Sequence, residues 1–466
     1  MNRKLKPYPE YKDSGVKWIG KIPPEWNYLK LKRIVSVELS NIDKKSRENE
    51  IEISLCNYTD VYYNNTITSE LNFMKATAKQ SQIDKFKLRK DNVLITKDSE
   101  TPNDIGVPTW VSADLENVIC GYHLAQIRPS KKIMGKYLFY MLASTTLNEQ
   151  LHSLANGVTR YGISKTDIEN SLFLAPKLEI QRTIINFLDQ KTSEIDALIA
   201  DKEKYISLLE EKRQAVITET VTKGLDPNVK MKDSGIEWIG EVPENWVKSK
   251  LKFISNQIID GAHSTPTYID EGIPFLRVTD LTKSKGEDLL KGDVKYIPLE
   301  EHSQLIKRCK PEKGDLLLSK NGTIGIPRVV DWDFDFSIFV SLCLIKFKKE
   351  KINPYYCSYF FESNLVDQQI AFGGKKSTIV NLHLDKIKEF LIFLPPIDEQ
   401  DLIVNFLGNK AKKYDDLIND MKKQISKFKE YRESLIFEAV TGKIDLRDYG
   451  EETKSLVAER GEAYGD

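Results

Sequence analysis

Cysteine, net charge and long apolar runs are all scarce in this chain. Its 466 residues include five cysteines, none in a Cys-x-x-Cys pair, so neither a disulfide framework nor a zinc site is expected, and a reducing cytoplasm is the predicted location. Lys and Arg number 69, as do Asp and Glu, which excludes a uniformly basic surface but not a local basic face. No apolar stretch approaches the roughly 18 residues of a membrane span. Residues 1–12 are basic but lack the apolar run that a signal peptide needs.

What the sequence does contain is a long internal repeat. Residues 12–32 and 232–252 match at 12 of 21 positions, and residues 186–226 and 405–445 match at 18 of 41. The chain is therefore two copies of one unit of about 220 residues. Four tryptophans of the first repeated block are predicted to pack on the protein rather than stack on nucleic acid: Trp18, Trp26, Trp238 and Trp246.

The middles of the two copies, residues 33–170 and 253–390, share length but little sequence. One short element recurs in them. Apolar strand candidates at 90–97 and 313–320 each end in a lysine and lead through a loop to an Ile-Gly-x-Pro turn. We therefore expect the copies to share a fold and to differ at their loops.

The second repeated block is predicted to form one long helix in each copy. Residues 179–222 and 399–441 contain no proline and only one glycine, Gly408. Heptad spacing places nine apolar residues on a seam. They are Leu188, Ile195, Leu209 and Val216, then Leu407, Tyr414, Met421, Phe428 and Leu435. A second row of seam positions is predicted at Leu198, Ile199, Tyr205, Ile206, Leu417, Ile418 and Ile425.

Two equal helices with matching seams should pack on each other. The predicted fold is α+β: two mixed α/β domains with twisted sheets, related by pseudo-two-fold symmetry and separated by two long antiparallel coiled-coil helices. At 1.5 Å per residue, 44 residues span roughly 66 Å, so two unlike domains would be held at a fixed distance. Duplex DNA with two half-sites at a set spacing is the object such an arrangement fits.

Several motifs carry a family resemblance. Lys-Asp-Ser-Gly-x-x-Trp-Ile-Gly-x-x-Pro-x-x-Trp occurs at 12–26 and 232–246, Leu-Pro-Pro-Ile-Asp-Glu-Gln at 394–400, and Gly-Asp-Leu-Leu-Leu-Ser-Lys-Asn-Gly-Thr-Ile-Gly at 314–325. In this order and duplication they resemble the DNA-specificity (S, HsdS-type) subunit of type I restriction–modification systems, over nearly the whole chain. One departure is Ala-Pro-Lys-Leu-Glu-Ile-Gln at 175–181, which we interpret as an isoleucine inserted between Glu and Gln.

The resemblance implies a division of labour along the chain. Residues 1–175 (domain 1) and 227–394 (domain 2) would be target-recognition domains, each reading one half of a bipartite asymmetric DNA target. The helices, within 176–226 and 395–446, would set the spacer and dock two methyltransferase (M) subunits, and 447–466 would be an acidic tail. Restriction/translocase (R) subunits are further implied partners. S-adenosylmethionine, ATP and Mg would belong to those partners, with no cofactor in this chain.

No catalytic site is expected in the chain itself. The run Asn-Pro-Tyr-Tyr at 353–356 lacks the second proline of an adenine-methyltransferase loop, and 373–378 lacks the first glycine of a phosphate loop. Glu-Glu-Lys at 210–212 falls on the predicted coiled coil. Cys120 and His123 lie three residues apart without a second pair, and we interpret them as a strand end and a loop.

DNA contacts should therefore come from the unlike middles. Phosphate contacts need Lys and Arg, and base edges need Arg, Lys, Asn, Gln or Asp. Candidate loops are polar and flanked by strands, at 97–104 and 156–165 in domain 1 and at 260–268, 320–323 and 373–381 in domain 2. The candidate DNA-binding residues in them are Lys97, Asn103, Arg160, Tyr161, Lys165, His263, Lys320, Asn321, Lys375, Lys376 and Asn381.

Three other hypotheses stay open. The weakest is a stand-alone enzyme, which would require methyl transfer or DNA cleavage by this chain purified without partners. The chain could be the specificity subunit of a related complex that cuts DNA on both sides of its site, which the neighbouring genes would decide. It could also be a duplicated coiled-coil scaffold without a DNA role. Only a DNA reader predicts that the assembled complex binds DNA with an affinity that falls steeply with salt.

Overall fold

The computed structural model describes residues 5–283, 289–290, 292–372 and 381–449. The chain forms two compact units. Unit 1 combines residues 1–201 with 424–466, and unit 2 comprises residues 202–423. Each unit therefore contains one domain together with parts of both long helices.

Unit 1 contains most of the strands. They are β1 (Lys12–Asp13), β2 (Lys21–Ile22), β3 (Tyr28–Lys30), β4 (Val35–Leu39), β5 (Ile51–Cys56), β6 (Thr66–Ile67), β7 (Met74–Ala78), β8 (Val93–Thr96), β9 (Asp98–Ser99), β10 (Pro108–Val111), β11 (Val118–Cys120), β12 (Leu124–Pro129), β13 (Tyr161–Gly162) and β14 (Leu172–Leu174). Its helices are α1 (Tyr58–Tyr62), α2 (Gln80–Phe86), α3 (Gly135–Ala143), α4 (Thr145–Leu154), α5 (Lys165–Asn170) and the first half of α6 (Leu178–Lys223), with 3-10 turns at Leu31–Arg33 and Pro102–Asp104.

Two sheets pack around the core of unit 1. A five-stranded sheet has the order β4-β12-β8-β10-β6, and a three-stranded sheet has the order β11-β5-β7. Leu94 and Leu124 of the large sheet lie in one buried cluster with Leu55 of the small one. The strand predicted within 90–97 is β8, which lies at the centre of the large sheet and ends beside Lys97.

Unit 2 repeats this construction. Its strands are β15 (Met231–Asp233), β16 (Glu241–Pro243), β17 (Val247–Lys250), β18 (Ser255–Asp260), β19 (Ile273–Leu276), β20 (Lys295–Ile297), β21 (Leu316–Ser319), β22 (Pro327–Val329), β23 (Ser337–Ile338), β24 (Leu342–Phe347) and β25 (Leu391–Leu394). Its helices are α7 (Leu251–Ile254), α8 (Val278–Lys283), α9 (Leu299–Leu305), α10 (Pro354–Glu362), α11 (Asn364–Phe372), α12 (Leu384–Glu389), part of α6 and most of α13 (Ile397–Val440).

The central sheet of unit 2 is buried on both faces. Its order is β18-β24-β21-β22, and a smaller sheet has the order β20-β19-β23. Because side chains alternate along a strand, Leu316 and Leu318 join the cluster that contains helix residues such as Tyr356, whereas Leu317 joins Leu276 of the smaller sheet. The run Leu316–Leu318 is apolar throughout because no side of the strand meets water.

The two units share one topology even though their middles barely match in sequence. The antiparallel ladder β4-β12-β8-β10 of unit 1 corresponds to β18-β24-β21-β22 of unit 2. In the smaller sheets, the parallel pair β5·β11 corresponds to β19·β23, and the antiparallel pair β5·β7 to β19·β20. The expected common α+β fold is thus confirmed.

The long helices pair antiparallel within each unit. In unit 2, Arg213 Nε lies 3.2 Å from Asp415 Oδ1, and Glu210 Oε1 lies 3.9 Å from Lys422 Nζ, so the numbering falls along one helix as it rises along the other. In unit 1, Arg432 Nε lies 2.9 Å from Asp196 Oδ1. The two ion pairs are equivalent in the repeat, because the offset of 219 relates Arg213 to Arg432 and Asp196 to Asp415. Each copy therefore supplies the arginine of one pair and the aspartate of the other.

Burial along the helices defines the seam. The nine heptad residues Leu188, Ile195, Leu209, Val216, Leu407, Tyr414, Met421, Phe428 and Leu435 are buried or half-buried. Ile199, Ile206, Ile418 and Ile425 are buried between them. The prediction was wrong for Leu198, Tyr205 and Leu417, which are 47%, 53% and 48% exposed. An apolar pair such as Leu198-Ile199 offers two adjacent candidates, and only one of them faces the partner helix.

A buried glutamine fixes the start of each long helix. Gln181 Oε1 accepts from the backbone N–H of Met134, and its Nε2 donates to the carbonyls of Lys132 and Pro176. Gln400 makes the same three hydrogen bonds one repeat later, with Asn353, Lys351 and Pro395. Each glutamine lies five residues after its proline, so the interpretation of an inserted isoleucine was wrong.

Ile180 in the first copy occupies the position that Glu399 occupies in the second copy. Glu399 Oε1 accepts a hydrogen bond of 3.1 Å from the indole N–H of Trp246. Trp246 and its counterpart Trp26 are buried, as the packing prediction requires, whereas Trp18 remains 36% exposed.

Both long helices end at glycines with positive φ, Gly224 at +74° and Gly442 at +70°.

A buried tyrosine joins each domain to the end of the other copy's helix. Tyr137 of α3 donates to the carbonyl of Val440 at 3.3 Å in unit 1. Tyr356 of α10 donates to the carbonyl of Val221 at 3.4 Å in unit 2. Both positions repeat with the offset of 219. In each unit a domain is thus tied to the C-terminal end of the long helix that the other copy supplies.

Candidate nucleic-acid interface

The two candidate loops of domain 1 meet beside the end of β8. Strand β9 pairs with β13, so Asp98 lies opposite Gly162 and Ser99 opposite Tyr161. The backbone N–H of Ile163 donates to the carbonyl of Lys97 at 3.0 Å. The loops at 97–104 and 156–165, which are far apart in sequence, therefore form one surface.

Five side chains cluster on that surface. Lys97 Nζ lies 2.6 Å from Asp98 Oδ2 and 4.7 Å from the centre of the Tyr122 ring. The same carboxylate oxygen lies 3.2 Å from His123 Nδ1. Arg160 Nη2 lies 3.0 Å from Nδ1 and 3.1 Å from Nε2 of His123. Lys97 is buried, whereas Tyr122 and Arg160 are exposed.

The charges in this cluster are set by their neighbours. Burial opposes ionisation of Asp98, but hydrogen bonds from Lys97 and His123 outweigh it and lower the pKa of that carboxyl. Burial lowers the pKa of His123, and the nearby Arg160 lowers it further against the opposing hydrogen bond to Asp98. At neutral pH the imidazole is therefore neutral, and a proton on Nδ1 can donate to Asp98.

The loop at 97–104 is held by a second network that involves Asp104. Tyr62 donates to Asp104 Oδ1 at 3.0 Å, and Thr101 donates to Oδ2 at 2.7 Å. The Tyr62 ring stacks on Tyr58 with centroids 5.5 Å apart. Helix α1 therefore packs against this loop and stabilises it through Tyr62.

The candidate loops of domain 2 also converge at the equivalent strand end. The N–H of Leu382 donates to the carbonyl of Lys320 at 2.7 Å, which is the counterpart of the Ile163–Lys97 bond in domain 1. Asn321 and Asn381 form a β-bridge. Loops 320–323 and 373–381 are thereby joined in their described parts.

Asp260 brings in the third loop of domain 2. Its Oδ2 lies 3.0 Å from Lys320 Nζ, and its Oδ1 lies 2.6 Å from Arg308 Nη2 and 3.1 Å from His263 Nε2. Burial opposes ionisation, but hydrogen bonds from Arg308, Lys320 and His263 outweigh it and lower the pKa of Asp260 to about 2. Domain 2 thus assembles the same four residue types as domain 1, namely Asp, Lys, His and Arg, from different places in its sequence.

The remaining candidates lie nearby or outside the described part. Asn103 is exposed in a 3-10 turn, and Tyr161 is half-buried in β13. Lys165 Nζ lies 3.5 Å from a carboxylate oxygen of Glu38. Lys375 and Lys376 fall outside the described residues.

The residues that organise both clusters were not predicted from the sequence. Asp98, Tyr122 and His123 were not candidates in domain 1, nor were Asp260 and Arg308 in domain 2. His123 lies beside Lys97 because β12 pairs with β8, and the Lys97 N–H donates to its carbonyl at 3.0 Å. Only knowledge of this strand pairing could have shown that the two residues meet.

Other chemistry-bearing residues have structural partners. Asn353 caps α10 by accepting from the N–H of Tyr355 at 2.8 Å. The five cysteines are buried and unpaired, and no group of three or more metal-ligating side chains was found among the described residues. Within the same residues, every helix is too short or too polar to cross a lipid bilayer.

Comparison with known proteins gives the family. The model for the type I restriction modification DNA specificity domain matches residues 23–207 and again residues 243–427. The chain therefore belongs to this family and carries its domain twice. Each match covers one domain and the first part of the long helix that follows it.

Full-length relatives agree with this assignment. A Methanocaldococcus jannaschii protein named for the MjaX type I restriction enzyme specificity subunit is 25% identical over 94% of this chain and 98% of its own length. The EcoKI specificity subunit of Escherichia coli is 21% identical over 95% of this chain and 94% of its own. A solved chain from a type I R-M system shares the fold, with a TM-score of 0.66 at 17% identity, covering 91% of this chain and all of that one.

Proposed function

We propose that this chain is the DNA-reading subunit of a type I restriction–modification complex, each domain reading one half of a bipartite, asymmetric target. One observation carries the proposal. Loops distant in sequence converge at the same strand end in both domains, beside Lys97 and Lys320, and there the Asp, His and Arg side chains come from non-equivalent positions of the two copies. A shared framework with unlike surfaces is what two half-site readers require.

The chemistry of methylation and cleavage is proposed to belong to partner subunits. In this proposal, two methyltransferase subunits carry S-adenosylmethionine, and restriction/translocase subunits carry ATP and Mg. This chain is non-catalytic, holds no cofactor and works in the cytoplasm. The proposal is supported by the specificity domains that fill most of the chain and by structural partners for the residues that imitate catalytic motifs.

The proposed docking surface for the methyltransferase subunits lies on the long helices. Apolar residues are exposed there at repeated positions: Leu178 and Ile397 at the helix starts, and Leu198 and Leu417 farther along. Because each pair repeats at the offset of 219, a partner that recognises one copy finds a second equivalent site. Two partner copies per chain follow from this duplication.

A domain exchange tests the proposed function. Residues 33–170 are replaced by the corresponding segment of a relative with a known target, and the adenine-methylation motif of the host is determined genome-wide. One half of the motif should change while the other half and the gap stay the same. Exchange of residues 253–390 is the matched control and should change only the other half. If both halves change, or neither does, independent reading by two domains is wrong.

A further inference from the structure

We propose that Arg160 reads a guanine in the half-site of domain 1, and that His123 and Asp98 are positioning residues that hold it. This inference rests on the proposed function, because it requires domain 1 to read DNA. It adds the residue that determines specificity and the base that this residue recognises.

The geometry around His123 keeps Arg160 at the surface. Arg160 Nη2 is nearly equidistant from the two ring nitrogens of His123, at 3.0 and 3.1 Å. That position lies over the face of the imidazole, because a nitrogen in the ring plane would collide with Cε1. This contact restrains the guanidinium before DNA arrives, so less side-chain freedom is lost on binding.

Asp98 fixes the platform under Arg160. Its Oδ2 lies 3.2 Å from His123 Nδ1, which sets the orientation of the ring. The same oxygen lies 2.6 Å from the buried Lys97 ammonium, so the carboxylate is neutralised before it can oppose a phosphate backbone. The cluster of Lys97, Asp98, neutral His123 and Arg160 keeps one net positive charge, located on the exposed arginine.

Neighbouring candidates are less suited to reading a base. Lys97 is buried under the Tyr122 ring, Tyr161 is half-buried, and Lys165 lies near the carboxylates of Glu38 and Glu169. Among the described residues, no carboxylate lies within ion-pair distance of Arg160. Its N–H donors are therefore available to a ligand that offers acceptors.

Guanine is the base whose edge fits these donors. In the major groove it presents two adjacent acceptors, O6 and N7, which match the forked N–H groups of arginine. Adenine replaces O6 with an amino donor, which a guanidinium cannot bind. A glutamine, by contrast, matches the donor and acceptor of adenine.

The test measures specificity position by position. The chain is assembled with its methyltransferase subunits, and binding is measured on duplexes that carry every single base-pair substitution of the target. Arg160→Ala should remove discrimination at one G·C pair, by about 5- to 150-fold, and leave the other positions unchanged. Arg160→Gln should move the preference at that pair towards A·T. Asp98→Asn should weaken discrimination at the same pair.

The test has one matched control, and two results would refute the proposal. Arg47, an exposed arginine paired with Asp43 in the same domain, gives the matched control Arg47→Ala, which should leave the profile unchanged. If Arg160→Ala weakens binding equally at all positions and lowers the salt dependence, Arg160 is a phosphate contact and the proposal is wrong. An unchanged profile also refutes it. The exchange of residues 33–170 separates these failures from failure of the proposed function, since it should still change one half of the motif.

Discussion

Each domain buries one lysine at the end of a central strand and neutralises it with one aspartate. The side chain of Lys320 is 7% exposed and that of Asp260 is 6% exposed, so both charges have left water. Removing one partner of such a pair leaves the other charge buried and unpaired, which is more costly than the pair itself is stabilising. The pair in domain 2 therefore matters more to folding than the many exposed ion pairs of the chain.

Substitution of Asp260 should destabilise unit 2. Asp260→Asn leaves the buried Lys320 ammonium without its negative partner. We therefore expect the free energy of unfolding at pH 7 to fall by about 3 kcal/mol in denaturant titration. The matched control is Asp333→Asn, because Asp333 forms an ion pair with Lys313 but is 82% exposed; its effect should stay below about 0.5 kcal/mol. Equal effects of the two substitutions would contradict this account.

The same carboxylate predicts a pH dependence. Its folded pKa of about 2 lies below the ordinary value of 3.8, so its contribution is complete above that ordinary value. The contribution is lost as the pH falls towards 2. Between roughly pH 5 and pH 2 the wild-type chain should therefore lose stability relative to Asp260→Asn, measured as a narrowing gap between their unfolding midpoints. A gap that stays constant over this range would count against the assignment.

Pairs of helix positions show what sequence periodicity can and cannot resolve. The starts and ends of α6 and α13 agree with the predicted helices within two residues, because prolines and glycines mark them. Periodicity did not determine which face of each helix is buried against the other helix. Leu198 and Ile199 are both apolar, and an α-helix turns by 100° per residue, so only tertiary contact decides which of them is buried. Ile199 is buried and Leu198 is exposed.

The exposed leucines provide a test of partner docking. Leu198→Glu and Leu417→Glu should each weaken binding of one methyltransferase subunit, and the double variant should weaken both, because a charge replaces apolar contact area. Pull-down stoichiometry and light scattering report the number of bound copies. The matched controls, Glu203→Lys and Lys412→Glu, change exposed polar residues on the same two helices. Unchanged stoichiometry in the double variant would place the docking surface elsewhere.

Across the whole molecule, the repeat made the overall plan predictable, but not the surfaces that we propose to read DNA. Duplicated motifs predicted two domains of one fold and two paired helices, and the structure contains them. The convergence of Lys97, Asp98, His123 and Arg160 was not predictable, since it depends on strand pairings such as β9 with β13 that no local pattern encodes. The proposed reading surfaces draw their Asp, His and Arg from non-equivalent positions of the two copies, so the repeat gives no information about them.

The length of the paired helices should set the gap in the DNA target. Insertion of one heptad into each helix, after Asp201 and after Lys423, keeps the seam in phase and adds roughly 10.5 Å. The methylation motif should keep both halves while its gap grows by about 3 base pairs at 3.4 Å per step. Four-residue insertions at the same places rotate the seam and should abolish methylation. An unchanged gap in the heptad variant would refute the role of the helices as a spacer.

Unit 1 draws on both ends of the chain, and this has a consequence for synthesis on the ribosome. Residues 202–423 form a continuous stretch, so unit 2 can close as soon as it has emerged. Domain 1 is made first but lacks its share of α13, and the Tyr137 hydroxyl has no Val440 carbonyl to bond. At about 5–20 residues per second, the wait lasts roughly 10–45 s. During that interval domain 1 is incomplete although it is translated before domain 2. We expect chaperones to bind the nascent chain mainly at this stage.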